Sequence, residues 1–312
     1  MDNIFKLIKV CQNGDITVLR NLISKGSDID IRYIDGTSGL MHASDKGHEI
    51  IVKELISAGA NINYKDNKGY TALMYASKKG HQIIVKELIA AGADINNIGS
   101  EFKENALTLA AINGHINIVK ELIKSGADVN IRKALGMTAL MFATVKCNQM
   151  IVKELISAGA DVNNSDMFGR TALMLASELG CESVVNDLIK SGADVNIKDN
   201  SGRSAFLWAS VKGHKKIMNE IIAASTKKVS TNTLSTIYEE PTPFESLLKV
   251  IEKESGKDNR RPAQKRPNKN VDEDEGHIKK RSRRKPTKDG NKKIKRLKTP
   301  NKNLKIKKTL NC

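Results

Sequence analysis

Proline is nearly absent from most of this chain. All six prolines (Pro241, Pro243, Pro262, Pro267, Pro286 and Pro300) fall after residue 240 of the 312. The residue that most strongly breaks a helix interior is therefore confined to the last quarter. Cysteine is also scarce. The four cysteines (Cys11, Cys147, Cys181 and Cys312) show neither metal-ligand nor paired spacing, and a reducing compartment is the simple expectation. No apolar run approaches the roughly 20 residues of a membrane-spanning helix. The opening Met1-Asp2-Asn3-Ile4-Phe5-Lys6 has no basic stretch followed by a long apolar one, so no secretory signal is expected. Cys312 fits no prenylation box. Catalytic signatures are missing as well: there is no glycine-rich phosphate loop followed by Lys-Ser/Thr, no Gly-x-Ser-x-Gly and no His-Glu-x-x-His. A non-catalytic protein that needs no metal or cofactor is expected.

Acidic residues are unevenly missing. Up to Ala224 the chain carries 26 Lys plus Arg against 24 Asp plus Glu, whereas the remainder carries 26 against 11. From Gly276 to Cys312 there are 16 basic residues and a single acidic one, Asp289. The formal net charge of +17 is thus almost entirely a property of the tail. So cationic a segment, with few apolar residues, buries too little surface to offset its ordering entropy, and disorder is expected.

What the first part does contain is a repeat. The ten residues from Ile51 to Ala60 recur unchanged from Ile151 to Ala160. Between them a glycine followed by Ala recurs at Gly59, Gly92, Gly126, Gly159 and Gly192, with spacings of 33, 34, 33 and 33. A fixed period of this size marks a stacked array and a long surface, not a single deep cleft. Within each unit a capping residue recurs at Ser38, Thr71, Asn105, Thr138, Thr171 and Ser204. Each has the side-chain oxygen that caps a helix N-terminus. The short helix that begins there stops at Gly14, Gly47, Gly80, Gly114, Gly180 and Gly213, where glycine tolerates positive φ. A second helix follows, its apolar residues at helical spacing, as in Ile84, Val85, Leu88 and Ile89. The fold class is therefore all-α, built of helix pairs that must stack to bury their apolar faces.

The pattern Gly69-x-Thr71-x-Leu73, Ala76, Gly80-His81, Val85, Leu88, Gly92-Ala93-Asp94 and Asn96, repeated through the units, resembles the ankyrin repeat family over residues 2–224. The resemblance implies an ankyrin repeat solenoid that binds proteins through its turn tips and the exposed side of its first helices. There are two departures. Thr-Ala-Leu-Met stands where the family has Thr-Pro-Leu-His, and Cys147-Asn148 replaces Gly-His in the fifth unit. A cysteine at positive φ would strain that unit by ~1 kcal/mol. The expected organisation is a degenerate N-terminal capping repeat at 1–35, six repeats at 36–224, a linker with a capping or docking helix at 225–255 and a disordered basic tail at 256–312. A monomer is expected. The abundance of Ile, Lys and Asn, with near-identical repeats, is similar to ankyrin proteins of large DNA viruses or intracellular microbes.

The repeat frame places the candidate sites. His48, His81, His115 and His214 recur once per unit. Neighbouring helices lie about 8–10 Å apart, and zinc ligands sit about 2.0–2.1 Å from the metal, so a structural role is read. The column His42, Tyr75, Leu109, Phe142, Leu175 and Trp208 reads as packing. Glu54, Glu87, Glu121 and Glu154, each preceded by lysine, read as a solvated helix face. The third unit presents polar and basic Asn67, Lys68, Tyr70, Lys78 and Lys79, whereas the fifth and sixth present Leu135, Met137, Val145, Met167, Phe168, Arg170 and Leu179. Apolar side chains at turn tips mark a protein-binding surface, unless they fold over one another. In the tail, Lys279, Lys280, Arg281, Arg283, Arg284 and Lys285 form a nuclear import signal, a nucleic-acid contact or a merely solubilising segment. Nuclear or cytoplasmic localisation is expected, with a protein partner, an import receptor or non-specific nucleic acid on the tail, and no membrane.

Overall fold

A computed structural model describes residues 2–100 and 103–232. All of them lie within the first, Met1–Glu239, of the two units into which the chain divides. The described residues form fourteen α-helices in seven successive pairs: α1 (Asp2–Asn13) with α2 (Ile16–Ser24), α3 (Gly39–Lys46) with α4 (Glu49–Ser57), α5 (Ala72–Lys79) with α6 (Gln82–Ala90), α7 (Ala106–Ile112) with α8 (Ile116–Lys124), α9 (Ala139–Val145) with α10 (Gln149–Ser157), α11 (Ala172–Leu179) with α12 (Glu182–Lys190), and α13 (Ala205–Lys212) with α14 (Lys215–Asn232). Among the described residues there is no β-strand, only the isolated bridges Arg32–Ser38 and Ser165–Thr171. The all-α repeat solenoid is as expected.

The local chemistry follows the sequence closely. At Ser38, Thr71, Asn105, Thr138, Thr171 and Ser204 the side-chain oxygen accepts the backbone N–H three residues on. Each such cap stabilises its helix by about 1 kcal/mol. Gly47, Gly80, Gly180 and Gly213 end their helices in the left-handed conformation. Cys147 takes the same place at φ 50° without glycine's freedom.

The first helices stack on one another along the array, and so do the second helices. Between them runs a repeating aliphatic core: Leu73 and Met74 with Ile84, Val85 and Leu88 in the third unit, Leu140 and Met141 with Ile151, Val152 and Leu155 in the fifth. The loops are joined by a ladder. Asn63, Asn96, Asn130 and Asn163 each donate Nδ2–H to a glycine carbonyl of the next unit, at Gly92, Gly126, Gly159 and Gly192. Each Oδ1 accepts an N–H from that unit, at Asp94, Asp128, Asp161 and Asp194. One asparagine side chain thus satisfies a donor and an acceptor that the loop backbone would otherwise leave open. The outer helices carry a second ladder of inter-unit ion pairs, Lys53–Glu87, Lys86–Glu121, Lys120–Glu154 and Lys153–Asp187. The recurring Lys-Glu pattern is therefore a partly exposed row of bridges, each contributing at most about 1 kcal/mol.

Two features depart from expectation. The six repeats are expected to end at Ala224, and the helix that crosses that boundary, α14, continues to Asn232. Every other second helix has a glycine to terminate it; here Ser225 stands instead and donates its hydroxyl back to the Ile221 carbonyl at 3.0 Å, so the helix runs on. The cysteines are not all unpaired: Cys147 and Cys181 are joined by a disulfide, with Cα atoms 5.6 Å apart. Their separation of 34 residues looks unrelated in sequence. Stacking turns one repeat length into spatial adjacency.

Candidate interaction surface

Turn tips precede the caps of the first helices, and in the third, sixth and seventh units an aspartate organises the tip. Asp66, Asp166 and Asp199 sit five residues before Thr71, Thr171 and Ser204 and are buried. In each, Oδ1 accepts two backbone N–H groups across the turn: Lys68 and Tyr70, Phe168 and Arg170, Ser201 and Arg203. Oδ2 takes a side-chain donor, Tyr75 Oη–H at 2.7 Å in the third unit, Arg170 Nε–H at 2.9 Å in the sixth, and both Arg203 Nε–H and Trp208 Nε1–H in the seventh. Burial alone would raise the Asp199 carboxyl. The N–H donors of Arg203 and Ser201 and the Arg203 charge outweigh it and hold the group below the usual carboxylate range. Burial and the bond to Asp66 push the Tyr75 phenol well above its ordinary range.

The fifth unit has no such aspartate. Lys133 replaces the aspartate, pairs with Glu104 of the preceding unit and lies 4.8 Å from the Phe142 ring centroid. The tip folds as a short 3-10 turn, Ala134–Gly136, with Leu135 at φ 67°. For a leucine that conformation costs about 1–2 kcal/mol. It also turns the side chain outward, so that Leu135 is 48% exposed.

The tips are tied to one another. Met167 N–H donates to the Leu135 carbonyl at 2.8 Å, and Asn200 N–H to the Phe168 carbonyl at 2.9 Å. The fifth- and sixth-unit tips therefore present one joined edge. On it Met167 and Phe168 are 54% and 41% exposed, and Leu179, at the end of α11, is 47% exposed. Met137 and Val145 are only half-exposed. Arg170 is held in place: its guanidinium pairs with Asp166 at 2.9 Å, approaches Glu178 at 4.0 Å and lies 5.2 Å from the Phe168 ring centroid. Of the seven residues singled out on sequence, four are thus well exposed, and Arg170 braces one of them. In the third unit Tyr70 is buried, its ring tilted against Tyr75 at 5.7 Å, so that tip presents Asn67 and Lys68 without it. The six tail residues from Lys279 to Lys285, and the helix expected at 241–254, lie outside the described residues.

The histidines do structural work. Nε2–H of His48, His81, His115 and His214 donates to a carbonyl of the preceding unit, at Gln12, Asp45, Lys78 and Glu178. In the aromatic column Leu109, Phe142 and Leu175 are buried. Tyr75, Trp208 and His42 are half-buried and turn a polar atom to the adjacent turn, His42 through Thr37 at 2.9 Å. The polar members of the column thus share the role that Arg170 plays in the sixth unit, a substitution that no single repeat reveals. Among the described residues no cluster of three or more His, Cys, Asp or Glu is arranged to hold a metal ion. No helix among them is long and apolar enough to cross a membrane.

The sequence matches the model for ankyrin repeats, in three copies, over residues 7–99, 84–166 and 151–233. Among solved structures, the human ASB11 ankyrin repeat domain is similar, with a TM-score of 0.62 and 24% identity over 69% of this chain and 96% of that one. At that identity the likeness concerns the fold. No curated protein sequence matches.

Proposed function

Because the chain belongs to the ankyrin repeat family, we propose that it is a non-catalytic adaptor that holds another protein on the joined tips of its fifth and sixth units. The observation that carries this reading is the exposure of Leu135, Met167 and Phe168 on a rigid, hydrogen-bonded edge, where the third-unit tip offers Asn67 and Lys68. Large apolar side chains held in water by an ordered backbone contribute to stability only once a partner covers them. Aromatic and Met residues are also those enriched at the centre of interfaces. Leu135→Ala combined with Phe168→Ala should weaken binding of a partner captured by the wild-type chain by about 2 kcal/mol or more. Thermal stability should change little. The reverse pattern, lost stability with unchanged affinity, would show that these side chains serve the fold.

The tail addresses the adaptor to a nucleus in the same reading. Lys279 to Lys285 supplies six basic residues in seven, the extended cationic run that import receptors recognise. The same charge attracts polyanions through counterion release, an effect that falls steeply between about 50 and 200 mM salt. Replacing Lys279, Lys280, Arg281, Arg283, Arg284 and Lys285 with Ala should abolish nuclear accumulation of a fluorescent fusion, while weak low-salt binding to nucleic acid persists. A variant that still enters nuclei but loses salt-resistant binding would instead make the tail a nucleic-acid contact.

A further inference from the structure

One joint of the array carries a cysteine on both sides. At four others the glycine that ends a first helix faces the histidine that opens the next unit's second helix, and at one Gly114 faces Asn148. A Cβ on Gly14, Gly47, Gly80 or Gly180 would stand 2.9, 2.5, 2.6 or 2.7 Å from the ring of His48, His81, His115 or His214. No side chain fits between backbone and imidazole there. Between the fifth and sixth units both partners differ: Cys147 stands in the glycine's place and Cys181 in the histidine's. The stacking of the units brings these two positions together whatever residues occupy them. It sets the Cα atoms of Cys147 and Cys181 5.6 Å apart, at the usual separation for a disulfide.

The two sulfurs are unequal in access. Cys147 is exposed, whereas Cys181 is 6% exposed and covered by the joint. The remaining described cysteine, Cys11, is buried in the first unit, and burial pushes its thiol up to about 12, so it holds little thiolate with which to compete. Without the bond this joint, like that of Gly114 with Asn148, has no imidazole to fill the gap and no Nε2–H to donate to the preceding unit.

We propose that Cys147 and Cys181 form a reversible covalent lock between the fifth and sixth units, closed by exchange with a low-molecular-weight disulfide and opened by a dithiol. In closing, the Cys147 thiolate attacks one sulfur of the small disulfide, forming a mixed disulfide and expelling one small thiolate. The Cys181 thiolate then attacks the Cys147 sulfur, forms the intramolecular bond and expels the second. The two protein thiol protons pass to the two released thiolates. The protein loses two electrons and the small disulfide gains them. Order follows access: the exposed sulfur meets the reagent, and the buried one can reach only its neighbour. The lock lies one helix away from the Leu135 and Phe168 tips and does not depend on their binding a partner.

The full chain, equilibrated in oxidised or reduced glutathione, tests this. Peptide mapping of the oxidised protein should find Cys147 linked to Cys181 and neither linked to Cys11 or Cys312. The unfolding midpoint should rise by about 5 °C or more on oxidation and return with dithiothreitol. Cys147→Gly with Cys181→His rebuilds the joint of the other units, so that variant should fold with a midpoint indifferent to the redox buffer. A stable glutathione adduct on Cys147 with no internal link, or a wild-type midpoint as indifferent as that of the rebuilt variant, would overturn the proposal.

Discussion

Leu122→Ala should lower the stability of the array more than any surface change, by about 2–5 kcal/mol. Leu122 is fully buried on α8, in a column with Leu88 and Leu155, which are also completely enclosed. Truncation removes its transfer energy and leaves a cavity that two rigid neighbours cannot close. Position adds to the effect. In a stacked array each unit contacts only its neighbours, so a weak fourth unit uncouples the three before it from the three after it. Denaturant unfolding should shift to a lower midpoint and lose its single sharp transition. Lys120→Ala, two residues away on the same helix, is the comparison. It breaks an exposed pair with Glu154 at 3.8 Å and should cost less than about 1 kcal/mol. Equal effects from the two would mean that the column is not the source of cohesion.

The second large effect is expected at Asp166. Its carboxylate is 1% exposed and accepts the N–H groups of Phe168 and Arg170, each at 2.9 Å, together with the Arg170 guanidinium. Asp166→Ala strands two backbone donors and a cation at once, which should destabilise the chain by about 3 kcal/mol. It also releases the Met167-Phe168 tip. Partner affinity should therefore fall together with stability, unlike the Phe168→Ala case, where affinity falls alone. Asp166→Asn keeps one carbonyl acceptor and should recover most of the stability. If Ala and Asn behave alike, the turn is held by something other than this acid.

These effects divide along the line between what could and could not be read from the chain. The six caps were legible because capping depends on one side chain and the backbone three residues away. So were the glycine stops and Cys147 at positive φ. The aspartate at the third, sixth and seventh tips is not legible as an anchor, because its partners come from three places: the turn, the first helix and, in the sixth and seventh units, an arginine four residues on. The burial of Tyr70 escaped for the same reason, since Tyr75 covers it. The expected boundary at Ala224 falls inside α14 because the absence of a terminating glycine at Ser225 does not stop a helix; it lets the helix continue. The disulfide was hidden by distance along the chain, although its 34-residue separation is one repeat. Residues one repeat apart are neighbours in a solenoid, so the pairing was available once the period was treated as a spatial coordinate.

For the candidate surface, the sequence supplied which residues were apolar where polar ones were expected. It did not distinguish those that face water from those that brace them. Leu135, Met167, Phe168 and Leu179 are exposed, while Arg170 is held by Asp166 behind the Phe168 ring. The most direct test of protein binding at this edge is amide hydrogen exchange on the full chain, free and in complex with a captured partner. Slower exchange concentrated at residues 133–137 and 166–170 is the result expected. Protection confined to other units, with these two tips exchanging as fast as in the free chain, would contradict it.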